Sequence, residues 1–203
     1  MGKLKDAIII LGEGPTECFY LNSLKDEYLS LQNIEPKMPK HSSIKELQKR
    51  IELAVSEGYS KVFCVIDMDN KKEGKEKTDY ENLKRKYRKP VVKVKKGINC
   101  EVKFFETERC TELFFLYYFK YTTKEYICSD DVVKDLNKEC GYIKEQKFFA
   151  RHPLHQYFIK KGGSLDNAIA NSERSCKSIE TTERECTYSQ LGNMIELLKK
   201  KKI

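Results

Sequence analysis

Acidic side chains follow two apolar segments of this chain at the points where those segments end. The two stretches read Ala7-Ile8-Ile9-Ile10-Leu11-Gly12-Glu13-Gly14-Pro15-Thr16-Glu17 and Lys61-Val62-Phe63-Cys64-Val65-Ile66-Asp67-Met68-Asp69. A strand that feeds a Gly-x-Gly turn and then a helix usually holds a phosphate on free backbone N–H groups. Here Glu13 stands between the glycines, and Glu17 replaces the third glycine of that pattern. Two carboxylates would repel a bare phosphate unless a divalent cation lay between them, so these residues indicate metal-dependent phosphate chemistry.

The predicted metal ligands are Glu13, Asp67 and Asp69. Phosphodiester cleavage uses a divalent cation to neutralise the scissile phosphate and to activate water, and Mg²⁺ or Mn²⁺ prefers carboxylate oxygen. An Asp-x-Asp pair alone is weak evidence, because acids at strand ends often cap the following turn. Its combination with the acidic Gly-x-Gly turn is stronger evidence. Glu17 is a further catalytic candidate. It either points at the metal or interacts favourably with the dipole at the start of the helix.

The elements that must position these acids alternate between strands and helices. The residue patterns predict strands over 7–11, 34–38, 61–66, 91–94 and 102–105. They predict helices over about 15–31, 43–58 and 78–90, the last two opening on the capping boxes Ser43-x-x-Glu46 and Thr78-x-x-Glu81. This alternation implies a parallel sheet with helices on both faces, whose ligands gather beyond the carboxyl ends of the strands. Further helices are predicted over 109–121, 130–140, 152–160, 165–174 and 188–199.

Length and composition favour one soluble globular unit. The chain has 203 residues, of which 39% are hydrophobic and 34% charged. No apolar run approaches the roughly 18 residues that a membrane span requires, and the first apolar segment is too short for an export signal. The eight cysteines include no Cys-x-x-Cys pair, so we expect free thiols. We therefore expect a cytoplasmic protein without membrane contact.

Basic residues are in excess and clustered. The formal net charge is +8, and residues 84–96 include eight basic residues and no acidic one. This charge favours a polyanionic partner such as DNA or RNA, although a charge run is also typical of a solvated helix face. The residues predicted to contact nucleic acid are Lys71, Lys72, Lys75, Arg85 and Arg88.

Three blocks of the chain resemble the RloB-like proteins. They are Glu13-Gly14-Pro15-Thr16-Glu17-Cys18-Phe19-Tyr20, Val65-Ile66-Asp67-Met68-Asp69 and Glu112-Leu113-Phe114-Phe115-Leu116-Tyr117-Tyr118-Phe119. The resemblance implies a relation to Toprim-type nucleases of bacterial defence loci, often found beside an AAA-type ATPase. It also implies a Toprim-like, Rossmann-type α/β core over residues 1–105 and a helical region over 106–203 packed on that core as one compact unit.

The resemblance also suggests roles for individual residues. It makes Glu13 the Toprim glutamate, a metal ligand or general acid-base group, and makes Asp67 and Asp69 metal-binding aspartates. Glu112 matches an acid of the third block and would be a second-metal ligand or an orienting group. Relatives tend to read Ser-Asn-Pro-x-Phe-Glu where this chain reads Thr107-Glu108-Arg109-Cys110-Thr111-Glu112, so a buried polar role for Glu112 stays open.

These observations lead to a Mg²⁺- or Mn²⁺-dependent nuclease acting on DNA or RNA in defence against phage. Two alternatives stay open. Phosphatases of the haloacid-dehalogenase type also place Asp-x-Asp after an apolar strand, with the first Asp as nucleophile. The third interpretation is a nucleic-acid- or partner-binding subunit without catalysis, whose acids hold a structural cation. The sequence leaves a homodimer open as an assembly.

Overall fold

A five-stranded sheet lies at the centre of the computed structural model, which describes residues 7–28, 34–37, 43–69, 71–181 and 187–199. Its strands are β1 (Ile8–Leu11), β2 (Ile34–Lys37), β3 (Lys61–Asp67), β4 (Val91–Lys93) and β5 (Ile98–Thr107). Across the sheet the order is β2-β1-β3-β5-β4. The first four in this order run parallel, and β4 pairs antiparallel with β5. The predicted α/β class with a mostly parallel, Rossmann-type sheet is confirmed.

Helices cover both faces of this sheet. They are α1 (Pro15–Glu27), α2 (Ile44–Glu57), α3 (Gly74–Lys86), α4 (Glu112–Leu116), α5 (Ser129–Cys140), α6 (Gln146–Arg151), α7 (Leu154–Lys160), α8 (Leu165–Thr181) and α9 (Leu191–Lys199). Successive side chains of a strand point to opposite faces. Accordingly, Ile8 and Ile10 join a hydrophobic cluster with α1 and the C-terminal helices, while Ile9 and Leu11 join another with α2 and α3.

The strand β4 departs from the parallel arrangement. It ends at Lys93, and a 3₁₀ turn over Val94–Lys96 then leads to Gly97 with φ 65°. Parallel neighbours need a long crossover connection, whereas a connection this short returns the chain beside itself. The predicted strand over 91–94 therefore forms a hairpin with β5.

The two capping boxes have different outcomes. Ser43 caps α2, because its Oγ accepts from the Glu46 N–H at 3.2 Å, and α2 ends at Gly58 with φ 89° as predicted. The prediction that a helix starts near Thr78 is wrong. The helix α3 begins one turn earlier, and the Thr78 hydroxyl donates back to the Gly74 carbonyl at 3.3 Å.

Other helix boundaries also differ from the sequence pattern. The helix predicted over 109–121 spans only Glu112–Leu116. The helix predicted over 152–160 is α7, which begins after Pro153, and the separate helix α6 ends at Arg151. The predicted helix over 130–140 is confirmed as α5, which ends at Gly141 with φ 74°. Residues 31 and 38, the predicted ends of the first helix and second strand, lie outside the described residues.

The helices after β5 share a core with the sheet. Phe63 of β3, Phe105 of β5 and Leu113 of α4 lie in one cluster of buried apolar residues that reaches Leu198 of α9. The predicted boundary at 105 falls two residues before β5 ends. The division into residues 1–105 and 106–203 stays a prediction.

Candidate functional site

Three neighbouring parallel strands end at the edge where the sequence places its acids. Asp67 is the last residue of β3 and pairs in register with Thr107, the last residue of β5. Leu11 ends β1 opposite Cys64. Glu13 reaches the end of β3, because the Lys71 ammonium that pairs with its carboxylate also donates to the Asp67 carbonyl.

The turn between β1 and α1 fixes the position of Glu17. A Cβ atom at Gly12 would lie only 2.8 Å from the Glu17 Cβ, so this close approach requires glycine. The Glu17 carboxylate in turn accepts from the Gly14 N–H at 2.8 Å and caps the start of α1. Glu17 is buried, and burial raises its pKa, with a further contribution from the charge of Glu112.

Asp67 lies among three other carboxyl groups. Burial raises its pKa, and the charges of Glu17, Glu112 and Glu13 raise it further. Its Oδ1 accepts from the Thr111 hydroxyl at 3.1 Å, which ties the end of β3 to the start of α4. We call Glu13, Glu17, Asp67 and Glu112 the acid cluster.

Glu112 is the most enclosed member of the acid cluster. Its side chain is 1% exposed, and its Oε2 lies 2.9 Å from the Lys144 ammonium. Its Oε1 accepts from the Tyr142 hydroxyl at 3.0 Å and from the Thr16 hydroxyl at 3.4 Å. These contacts hold Glu112 in place, and its charge raises the pKa of both Glu17 and Asp67.

Lys71 pairs with Glu13 at the more open side of the acid cluster. Its ammonium lies 2.8 Å from Glu13 Oε1 and 3.0 Å from Oε2, and it donates to the Asp67 backbone carbonyl at 2.8 Å. Burial raises the pKa of Glu13, and Lys71 offsets part of that rise. The Glu13 side chain is 19% exposed, so it stays within reach of a ligand.

Asp69 lies two residues beyond the end of β3, in the turn that follows the strand. The Asp69 carboxylate lies 3.8 Å from the Arg109 guanidinium. Arg109 has φ 65°, a left-handed conformation that is costly for a residue other than glycine.

The acid cluster fits a hard divalent cation in its donor chemistry. All of its donors are carboxylate oxygens, and it contains more carboxyl groups than the two ammonium groups, Lys71 and Lys144, that pair with it. Within the described residues, however, no three His, Cys, Asp or Glu side chains are grouped closely enough to hold a metal ion. The position between Glu13 and the Asp67 carbonyl holds the Lys71 ammonium instead.

The five residues predicted to contact nucleic acid lie in three different places. Lys71 is buried at the acid cluster, not on the surface, because it pairs with Glu13. Lys72 follows it and pairs with Glu108 at 2.9 Å. Lys75 is exposed in the first turn of α3, whereas Arg85 and Arg88 are exposed at its far end. The rise of about 1.5 Å per residue puts Arg85 about 15 Å from Lys75 along the helix.

Several partners of the acid cluster were not identified from the sequence. Thr111 and Lys144 carry no motif, and only the fold brings them to Asp67 and Glu112. The segment 187–190 was likewise not identified as a neighbour of the end of β5. Its Ser189 bridges to Thr107, and its Gln190 exchanges two hydrogen bonds with the Glu106 backbone. This segment therefore secures the end of β5 beside the cluster.

The comparisons with known proteins give one match. A family model described as RloB-like protein matches residues 8–198. Neither the curated proteins nor the solved structures contain a match to the chain. In the described residues, no helix has the length and apolar character needed to cross a membrane.

Proposed function

The chain belongs to the RloB-like protein family, and from that premise we propose that it is a Mg²⁺- or Mn²⁺-dependent nuclease that hydrolyses phosphodiester bonds. The observation that carries this proposal is the convergence of four carboxyl groups at the carboxyl edge of the parallel sheet, where ligands of such sheets gather. Acidic residues with perturbed pKa values concentrate at functional sites.

Glu13, Asp67 and Asp69 are the residues proposed to hold the cation. A bound divalent cation would neutralise charge on the scissile phosphate and lower the pKa of an attacking water. Glu13 and Asp67 are the partly exposed members of the acid cluster, so a substrate can approach them. Glu17 and Glu112 are the buried members, and their charges raise the pKa of Asp67, whose Oδ1 is held by the Thr111 hydroxyl.

The Glu13 carboxyl also suits proton transfer. Its pKa is raised by burial, so it retains a proton to a higher pH than an ordinary glutamate does. A carboxyl with such a pKa can protonate the leaving oxygen of a phosphodiester. In this alternative role Glu13 would act at the departing group instead of holding the cation, and a cation on Asp67 would favour the ionised form of that carboxyl, whose pKa burial otherwise raises.

Nucleic acid is the proposed substrate, because its phosphates match the charge of the chain. The net charge is +8, Lys75 and Arg85 lie exposed on α3, and Arg88 lies exposed two residues beyond its end. Phosphate contacts of this kind position a strand without reading its sequence. A role in defence against phage, a partner AAA-type ATPase, homodimer formation and a cytoplasmic location are further proposals.

The test is cleavage of plasmid, single-stranded DNA and tRNA with Mg²⁺, Mn²⁺ or a chelator. We expect metal-dependent cleavage that Asp67→Asn lowers by about a hundredfold or more, the size of a positioned acid-base or ligand effect. The partly exposed Asp79→Asn is the matched control, because it removes the same charge from α3, outside the acid cluster. Cleavage by Asp67→Asn at the wild-type rate would reject the assignment.

One observation favours the alternative of a binding subunit without catalysis. The Lys71 ammonium already compensates the charge of the Glu13 carboxylate, so part of the negative charge of the site is neutralised without a metal. This alternative expects salt-sensitive binding of nucleic acid that a chelator leaves unchanged. None of the described contacts favours the phosphatase of the haloacid-dehalogenase type.

A further inference from the structure

Lys71 is a buried lysine in a loop, which is an unusual place for an ammonium group. The residue is 6% exposed, and lysine is almost never fully buried unless it is paired. Three oxygens surround its Nζ, namely both oxygens of the Glu13 carboxylate at 2.8 and 3.0 Å and the Asp67 carbonyl oxygen at 2.8 Å. The end of β3 and the turn after β1 therefore already form a cation-binding position.

The same oxygens are the donors that a hard divalent cation would use. An ammonium and a metal ion repel each other and need the same carboxylate, so Glu13 serves one cation at a time. From this geometry we infer that the Lys71 ammonium is a built-in competitor of the divalent cation and holds the metal position in the metal-free protein. This inference rests on the proposed function, because it requires the metal site.

The chain allows Lys71 to exchange with a metal by a movement of its side chain. Lysine carries its charge on a flexible four-carbon stem. The backbone N–H of Lys71 bonds to the Met68 carbonyl at 3.3 Å, so the turn after β3 need not open for the ammonium to leave Glu13. Binding of the metal is then coupled to exposure of the Lys71 amine.

The first test is equilibrium binding of Mn²⁺ by calorimetry to the full chain and to Lys71→Met. We expect Lys71→Met to bind Mn²⁺ about tenfold more tightly, the size expected when a charge-assisted contact no longer has to be broken. Lys77→Met is the matched control, because Lys77 is exposed on α3 and its loss changes the net charge equally. It should leave the affinity within about twofold, since exposed charges are screened by salt.

A double variant separates competition from a general charge effect. Removal of any nearby cation favours metal binding, whether or not Glu13 is present. Competition at Glu13 predicts instead that Glu13→Gln weakens Mn²⁺ binding and that Lys71→Met, added to it, does not tighten the binding that remains. Equal tightening in both backgrounds, or no tightening in the wild-type background, would overturn the inference and leave the metal site standing. Absence of Mn²⁺ binding in every variant would overturn both the inference and the proposed function.

A second measurement uses the wild-type chain, so it does not depend on whether a variant folds. Acylation of lysine amines, followed by peptide mass spectrometry, reports whether Lys71 is accessible. We expect labelling of Lys71 to rise several-fold when Mn²⁺ is added, while labelling of exposed Lys77 stays constant. Labelling of Lys71 that does not respond to bound Mn²⁺ would show that the ammonium stays on Glu13.

Discussion

Lys144 and Lys71 compensate the acid cluster from opposite sides. Lys71 pairs with the partly exposed Glu13, whereas Lys144 pairs with Glu112, whose side chain is 1% exposed. A buried charge is costly without a partner, so each lysine offsets the cost of burying one carboxylate. The Glu112 carboxylate is enclosed, whereas the Glu13 pair lies where a ligand can reach it.

The Glu112 pair gives a prediction about stability. Lys144→Met should lower the free energy of unfolding by about 1–3 kcal/mol, less than for a fully buried pair because the Lys144 side chain is 41% exposed. Urea denaturation in a chelator measures this loss. The double variant Lys144→Met with Glu112→Gln should recover part of it, because the uncompensated charge is gone.

The control for this prediction is Lys49→Met. Lys49 forms an exposed i,i+3 pair with Glu46 on α2, and such pairs contribute little. No measurable change is expected. A loss for Lys144→Met as small as the loss for Lys49→Met would mean that Tyr142 and Thr16 alone support the Glu112 carboxylate.

The acids of the site could be predicted from the sequence, but their partners could not. Glu13, Glu17 and Asp67 stand in short motifs at strand ends, which local patterns reveal. Lys144 lies 32 residues from Glu112 in the chain and belongs to no motif. Asp69 pairs with Arg109, a tertiary contact that no local pattern contains.

The start of α1 positions Glu17 through the glycines of the turn. Gly12 lies where a side chain would meet Glu17, whereas the nearest atom to a Cβ at Gly14 is Glu17 Oε2 at an ordinary 3.6 Å. Gly12→Ala should therefore lower stability by about 1–3 kcal/mol, as overpacked sites do. Gly14→Ala should have the smaller effect. Thermal unfolding of both variants tests this order, and an equal loss would contradict it.

The elements differ in how well local signals define them. The helix α2 has a cap, an apolar stripe and a terminal glycine that agree, and its bounds follow from the sequence. In α3 the Thr78 box competes with an earlier start at Gly74, and the earlier start gives Thr78 a backbone acceptor. The aromatic residues after Glu112 read as one long helix, yet α4 ends at Leu116, because burial in the shared core determines this segment.

The helical second half meets the α/β core at His155. This residue is fully buried, and its Nδ1 lies 2.9 Å from the Tyr118 hydroxyl, which in turn bonds to Tyr20 of α1. Its Nε2 lies 3.0 Å from Glu27 Oε2 without the alignment of a hydrogen bond. Burial lowers the pKa of His155, and the charge of Glu27 offsets only part of this.

This lowered pKa predicts how stability depends on pH. A histidine with a lowered folded pKa binds fewer protons in the native state than in the unfolded state, so its contribution is lost as pH falls below its ordinary value of 6.5. The wild-type chain should lose more stability between pH 7.5 and 5.5 than His155→Gln does, measured by urea denaturation. The control His152→Gln should keep the wild-type difference. An equal loss in His155→Gln and wild type would contradict this role.

The central claim is that the sheet edge, built from both halves of the chain, binds a divalent cation through Glu13 and Asp67. The most direct measurement is calorimetric titration of the metal-free chain with Mn²⁺, beside Asp67→Asn and the control Asp79→Asn. The account predicts saturable binding by wild type and Asp79→Asn that Asp67→Asn loses while remaining folded. Absence of binding by wild type, or equal binding by Asp67→Asn, would contradict it.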